Sequence, residues 1–315
     1  MVTTRMMNEN SRILITGGGG YLGSKLAEKI LPSGAQCYLL DKAFNTISRN
    51  LASHYPNLHL VVCDLAEKEF LRKVCQEVNP DHVFHFAASI DRTRDFGQLE
   101  EMWKINVGGT LNLLEALKEL NYSSFTFAST SDVYGTKNPI PFHEEQIPCP
   151  VSPYSITKLM AEELLRSWSA LNNKPFTIYR IFLFIGQDMP PTTFIGQLVD
   201  SLVKNTEFHM TKGAQRRDYL ALNDLLHCMI TLTGNPDANG EIINLCSGNS
   251  ISMKEIADNA QLIGGYRLRV SESLPYRENE IWEIRGANEK LLRLLPGFEP
   301  EPISKAMLHL FSILP

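Results

Sequence analysis

Apolar positions along the first half of the chain alternate between two rhythms. Short, mostly apolar runs come first: Ile13-Leu14-Ile15, Cys37 to Leu40, Leu58 to Val62, His82 to Ala88 and Phe125 to Ala128. After several of these runs, apolar residues recur every third or fourth position: Leu22, Leu26 and Ile30; Phe70, Val74 and Val78; Val107, Leu111, Leu114 and Leu117. The runs read as buried strands and the spaced positions as one face of a helix. Strands alternating with helices predict an α/β fold with a doubly wound parallel sheet. Pro139, Pro141, Pro148, Pro150 and Pro153 mark a long loop, and Ser152-Pro153 is a helix entry. The helix that follows carries Tyr154, Lys158, Ala161, Leu164, Leu165 and Trp168, and Phe176 to Phe184 reads as a sixth strand. The rhythm is less regular beyond it. Helices are predicted at Phe194 to Val203, Leu225 to Thr233 and Met253 to Ile263, with a short extended piece at Phe208 to Thr211 and a strand at Ile242 to Leu245. This places a larger lobe over residues 1–181 and a smaller one over 182–315, from which strands after about 217 can return to the first.

The first strand runs into Thr16-Gly17-Gly18-Gly19-Gly20-Tyr21-Leu22-Gly23. Strand, glycine turn and helix in that order form a phosphate cradle, because free N–H groups at the helix start meet a pyrophosphate where no side chain blocks its approach. The turn therefore predicts a Rossmann-like lobe that binds a dinucleotide. Either Gly17 or Gly18 can open the fingerprint with Gly20 and Gly23. Asp41 ends the second strand about 20 residues on, where a carboxylate holds the ribose hydroxyls of NAD and repels a 2′-phosphate. Lys42 beside it can soften that repulsion. Asp64 ends the third strand, and small residues close the fourth.

Composition narrows the class. The 315 residues carry a net charge of −5 with no long basic run, which argues against nucleic acid. The opening dozen residues lack the apolar core of a signal peptide, and no apolar run reaches the length of a membrane span. Cys37, Cys63, Cys75, Cys149, Cys228 and Cys246 form no Cys-x-x-Cys pair. They read as reduced, mostly buried thiols of a cytoplasmic protein. Neither they nor the eight histidines cluster as metal ligands, so no metal is assigned.

Tyr154 and Lys158 stand four residues apart and so share one helix face. An ammonium beside a phenol favours its ionised form, and a phenol so tuned takes a proton from an alcohol near neutral pH. Together with the glycine turn, Asp64-Leu65, His85-Phe86-Ala87-Ala88, Asn106-Val107-Gly108-Gly109-Thr110, Ser129 to Gly135 and Arg217-Asp218-Tyr219, this pair makes nearly the whole chain resemble an extended short-chain dehydrogenase/reductase. The type it resembles is the NAD-dependent nucleotide-sugar epimerase/dehydratase.

That resemblance implies roles. Gly17, Gly20, Tyr21, Leu22, Gly23, Asp41 and Lys42 would hold NAD. Asp64 and Leu65 would sit by the adenine, and Phe86, Ala87 and Ala88 by the pyrophosphate and ribose. Tyr154 would be the base, Lys158 would also bind the nicotinamide ribose, Thr130 would bond the reacting sugar hydroxyl, and Asn106 would brace strand ends. Arg217 and Arg277 would hold the diphosphate of a nucleotide sugar, for which arginine supplies a fork of donors. The implied partners are that substrate and a second copy of the chain. The shared first step is oxidation at C4 of the sugar. Re-reduction on the other face makes an epimerase. Asp132, two residues after Thr130, keeps 4,6-dehydration or decarboxylation open as alternatives. A 4-ketosugar reductase and a non-catalytic NAD-binding regulator complete the range. Leu183 stands where the family has a substrate-touching Asn.

Overall fold

The computed structural model describes residues 7–90, 94–263, 268–276 and 280–311. In chain order the strands are β1 (Arg12–Thr16), β2 (Gln36–Asp41), β3 (Leu58–Val62), β4 (His82–His85), β5 (Ser124–Thr130), β6 (Thr177–Ile181), β7 (Leu183–Ile185), β8 (Glu207–His209), β9 (Arg216–Ala221), β10 (Ile242–Leu245), β11 (Ser250–Ser252), β12 (Arg269–Ser271) and β13 (Glu283–Ile284). The helices are α1 (Tyr21–Ile30), α2 (Thr46–His54), α3 (Lys68–Val78), α4 (Leu99–Met102), α5 (Gly109–Leu117), α6 (Pro153–Asn172), α7 (Phe194–Lys204), α8 (Leu222–Leu232), α9 (Met253–Ile263), α10 (Glu289–Leu294) and α11 (Ile303–Phe311). A π-helical turn, Trp103–Gly108, links α4 to α5.

Two compact units result. The first comprises residues 1–137, 147–180 and 229–243, and the second 138–146, 181–228 and 244–315. A seven-stranded sheet is ordered β10-β6-β5-β4-β1-β2-β3, with parallel pairing from β3 across to β5. Reading 3-2-1-4-5-6 from one edge, this is the doubly wound order whose ligand crevice lies where the winding reverses, between β1 and β4. The sheet's core is formed by Leu14, Leu40, Val83, Phe125, Phe127 and Ile178, closed by Leu71 and Val74 from α3 and Leu113 and Leu117 from α5. Each such side chain contributes roughly 1.5–3 kcal/mol by leaving water.

The second unit is built on β9, which pairs with β11, β13 and β7; β8 and β12 form a separate pair. Its core gathers Ile195, Leu198 and Leu202 of α7, Ile256 and Ala260 of α9, and Met307 and Leu310 of α11.

Three local expectations are corrected. The run Phe176 to Phe184 is two strands, because the Phe182 N–H bonds to the Leu245 carbonyl and β7 then pairs with β9. The buried face of α3 uses Leu71 with Val74, whereas Phe70 is exposed. The helix predicted from Asn106 begins in the π turn. The short strands β11, β12 and β13 and the helix α2 add to the elements expected from the sequence.

Candidate active site

β1 delivers the glycine turn. Gly17 has φ +71°, and a Cβ there would lie 2.6 Å from the Ala87 nitrogen. A Cβ on Gly23 would lie 2.4 Å from the Gly17 carbonyl oxygen. Only glycine lets the turn close against both the strand end and the helix. α1 starts at Tyr21 after Gly20, with no side chain capping its N-terminus. A helix start of this kind suits an anion, because its first N–H groups lack intrahelical acceptors. Phe86, Ala87 and Ala88 follow β4 against this turn, with the Phe86 N–H on the Thr16 carbonyl at 3.0 Å. Turn, uncapped helix start and small strand-end residues fit a dinucleotide.

The acids at the strand ends are arranged differently from one another. Asp41 accepts the Gly19 N–H at 2.9 Å and the Lys42 N–H at 2.7 Å. The Lys42 ammonium turns instead to Asp64, at 2.8 Å. Hydrogen bonding to Asp64 raises the Lys42 pKa. Burial opposes the charge on Asp64, but the Ala66 N–H and Lys42 outweigh it and hold its carboxyl below the usual range. The Lys42 side chain thus forms its ion pair with Asp64, while the Asp41 carboxylate is held by two backbone N–H groups. Leu65 is buried and supports α5, where the Asn112 amide donates to its carbonyl at 2.8 Å.

Ser152 caps α6 with a reciprocal Ser152/Ser155 capping box. Tyr154 and Lys158 lie on its buried side. The Lys158 ammonium rests over the Phe127 ring, 4.1 Å from its centroid. Burial pulls Lys158 down to about 7, while Glu162 pulls the other way. Thr130 is the last residue of β5, and its hydroxyl accepts the Asp132 N–H at 3.2 Å. That leaves the Thr130 hydrogen for an external acceptor. Asp132 is half-buried in the following turn, and its carboxylate has no partner among the described residues. Asn106, in the π turn, accepts the Ser89 N–H at 2.7 Å and donates to the Thr157 hydroxyl at 3.0 Å. It ties the segment after β4 to the helix turn that bears Tyr154 and Lys158.

Sequence reasoning quoted His85 without giving it a task. His85 is fully buried, with Nδ1 2.6 Å from the Thr16 hydroxyl and Nε2 2.9 Å from the Thr110 hydroxyl. Thr110 donates its hydrogen to the Asn106 carbonyl, so Nε2 carries the imidazole proton and Nδ1 accepts from Thr16. Burial and the Lys158 charge push His85 down to about 3, so it is neutral. Glu162 was missed outright, although its position one turn beyond Lys158 is a readable signal. It accepts from Ser129 and pairs with Arg180.

In the second unit, Arg217 on β9 donates to the Ile281 carbonyl at 2.7 Å and pairs with Glu280 at 2.9 Å. Asp218 is buried and accepts from Ser247 N–H and hydroxyl, Gly248 N–H and Gly286 N–H. Leu183 opens β7 opposite Tyr219. Arg277 lies outside the described residues. No group of three or more His, Cys, Asp or Glu residues is placed to hold a metal among the described residues, and no helix there is long and apolar enough to cross a membrane.

The chain is 29% identical over 282 residues to UDP-glucose 4-epimerase of Mycoplasma pneumoniae, covering 82% of this chain and 83% of that one. It is 29% identical over 316 residues to GDP-6-deoxy-D-mannose reductase of Pseudomonas aeruginosa, covering 95% of each. The crystal structure of UDP-glucuronic acid 4-epimerase from Bacillus cereus, in complex with UDP-glucuronic acid and NAD, superposes with a TM-score of 0.84 at 25% identity, over 96% of this chain and 98% of that one. The sequence model of the NAD dependent epimerase/dehydratase family matches residues 13–246, and the chain belongs to that family.

Proposed function

We propose that the protein is a nucleotide-sugar 4-epimerase, and the observation that carries this reading is the buried Tyr154–Lys158 face of α6 packed on β5, which ends in Thr130. The glycine turn and Asp41 hold NAD, with Asp64, Leu65 and Phe86 to Ala88 around it. When bound, NAD supplies a hydride acceptor that is also the donor for the return step. Thr130 donates its free hydrogen to the C4 oxygen of the sugar. Tyr154 takes the C4 hydroxyl proton and later returns it. Lys158 holds the ribose and, when protonated, favours the Tyr154 anion. Asn106 fixes the helix turn between them. Arg217 and Arg277 hold the diphosphate. The 4-epimerases among the relatives act on UDP-sugars by name, and we assign the same substrate class here.

One observation favours a second reading. The unpartnered Asp132 carboxylate is available to move a proton at C5, which would make the enzyme a 4,6-dehydratase. A reductase has a relative in the family, but reduction draws on NADPH and Asp41 opposes a 2′-phosphate. Trp103, Leu111 and Met160 expose apolar surface on the π turn, α5 and α6, which supports a homodimer through these helices. Five buried thiols fit a reducing, cytoplasmic setting. The test is a panel of UDP-, GDP-, CDP- and dTDP-sugars followed by mass and isomer analysis. An isomer of unchanged mass from a UDP-sugar is expected; loss of one water from the substrate would replace this reading with dehydration.

A further inference from the structure

A single buried carboxylate on α6 reaches both the end of β5 and β6. Glu162 lies on α6 one turn beyond Lys158 and two beyond Tyr154. One of its oxygens accepts the hydroxyl of Ser129, the residue before Thr130. Arg180 of β6 donates to the same oxygen through Nε at 3.2 Å and to the other through Nη2 at 2.8 Å. The opposite side of the Arg180 guanidinium faces the Tyr134 ring, 4.8 Å from its centroid, in the turn that contains Asp132. Arg180 is 2% exposed and Glu162 is not exposed at all.

Taking two charges out of water is costly, and an apolar pair of similar volume commonly gives equal or better stability. Stability is therefore a poor reason for this pair to stand here. Its contacts suggest another. Resting on the reading of Tyr154, Lys158 and Thr130 given above, we propose that the Glu162–Arg180 pair is a positioning element of the proton-transfer centre. It fixes the end of β5 and the Asp132 turn against α6.

The other titratable groups on elements packed about this part of α6 have their own settings. His85 of β4 is neutral. Glu115 of α5 accepts the Trp168 indole N–H at 2.6 Å, and Glu100 of α4 pairs with Lys104 of the π turn at 2.7 Å. Glu101, Asp132, Tyr134 and Tyr154 complete the set. Of these groups, Glu162 is the one whose charge supports the Lys158 ammonium directly, against burial. Arg180 is the cation that the Glu162 charge must also answer.

The pair makes a sign prediction that a purely structural role does not. Glu162→Gln leaves Arg180 uncompensated and removes the support for the ammonium. Lys158 should then titrate at lower pH. Arg180→Met leaves the full Glu162 charge for Lys158, which should titrate at higher pH. The double variant should return near the wild-type midpoint and also covers the case in which either single variant fails to fold.

The test is an NMR titration of Lys158 in the NAD-free full chain, with lysine labelled with carbon-13 at Cε and the resonance assigned by its loss in Lys158→Met. It is paired with the pH profile of turnover on UDP-glucose and UDP-glucuronic acid. Opposite shifts of about one pH unit, a tenfold change in protonation, are expected in the two single variants. The alkaline limb of turnover should follow each shift. In the double variant kcat should fall with little change in KM, because the strand end and turn have lost their tie. Shifts of the same sign, unmoved midpoints, or a double variant with unaltered kcat would overturn the proposal. If the wild type turns over neither sugar, these two are not its substrates, while the NMR titration still decides on the pair.

Discussion

The two units treat buried charge in contrasting ways. In the first, the ionisable side chains around α6 answer one another: Lys158 lies on an aromatic ring, Glu162 and Arg180 pair, and His85 is neutral between two hydroxyls. In the second, the buried carboxylate of Asp218 is satisfied by backbone N–H groups and one serine, and burial still raises its pKa against those donors. Its neighbour Arg217 pairs with the largely buried Glu280. The first arrangement is suited to moving protons, since a shift in one group is felt by the next. The second is suited to fixing a loop and presenting a cation. Chemistry is therefore expected to fail most steeply when the first unit is altered, and affinity when the second is.

The largest effect is expected from Tyr154→Phe. Removing a positioned acid–base group costs about 10²–10⁴-fold in rate, so kcat should fall by that range while NAD remains bound. Steady-state kinetics with cofactor quantified in the purified variant checks both halves. Retained turnover would remove the proton-transfer role from α6.

Acid stability should separate the units next. His85 titrates at about 3 in the fold against 6.5 when free. Its contribution is present above 6.5 and is lost as pH falls toward 3, because the unfolded chain then binds a proton that the folded one refuses. The shift corresponds to on the order of 5 kcal/mol across that window. Chemical denaturation of wild type and His85→Gln from pH 7 to 4 should show a flatter acid dependence in the variant. Equal slopes would mean that His85 opens to solvent.

Arg217→Met is expected to act on the other side of the comparison. A charged hydrogen bond is worth roughly 1.5–3 kcal/mol, so KM for the nucleotide sugar should rise about 10- to 100-fold with kcat little altered. A kcat effect of the same size would erase the distinction drawn between the units.

The same contrast explains what the sequence made legible. The glycine turn, Asp41 and the Tyr154/Lys158 spacing could be read because each depends on backbone geometry or on one helix face. The doubly wound parallel sheet followed from alternating strands and helices. The place of Glu162 one turn beyond Lys158 was readable, but its pairing with Arg180 was not, because Ser129, Tyr134 and Arg180 come from other elements and meet only in the packed fold. The second unit was least legible: β11, β12 and β13 are three, three and two residues long. Strands that short leave too few positions for alternation to register. The break at Phe182 was likewise invisible, since both sides of it are apolar and only hydrogen-bond partners distinguish β6 from β7.

The most direct measurement follows one hydrogen. UDP-glucose and UDP-glucuronic acid deuterated at C4 are incubated with the enzyme in ordinary water, and the products are read by NMR. If Tyr154 drives oxidation and return at C4, the label is found at C4 of the epimer, with no solvent hydrogen gained at C5. A product that lacks the C4 label, or that has exchanged at C5, would contradict a 4-epimerase.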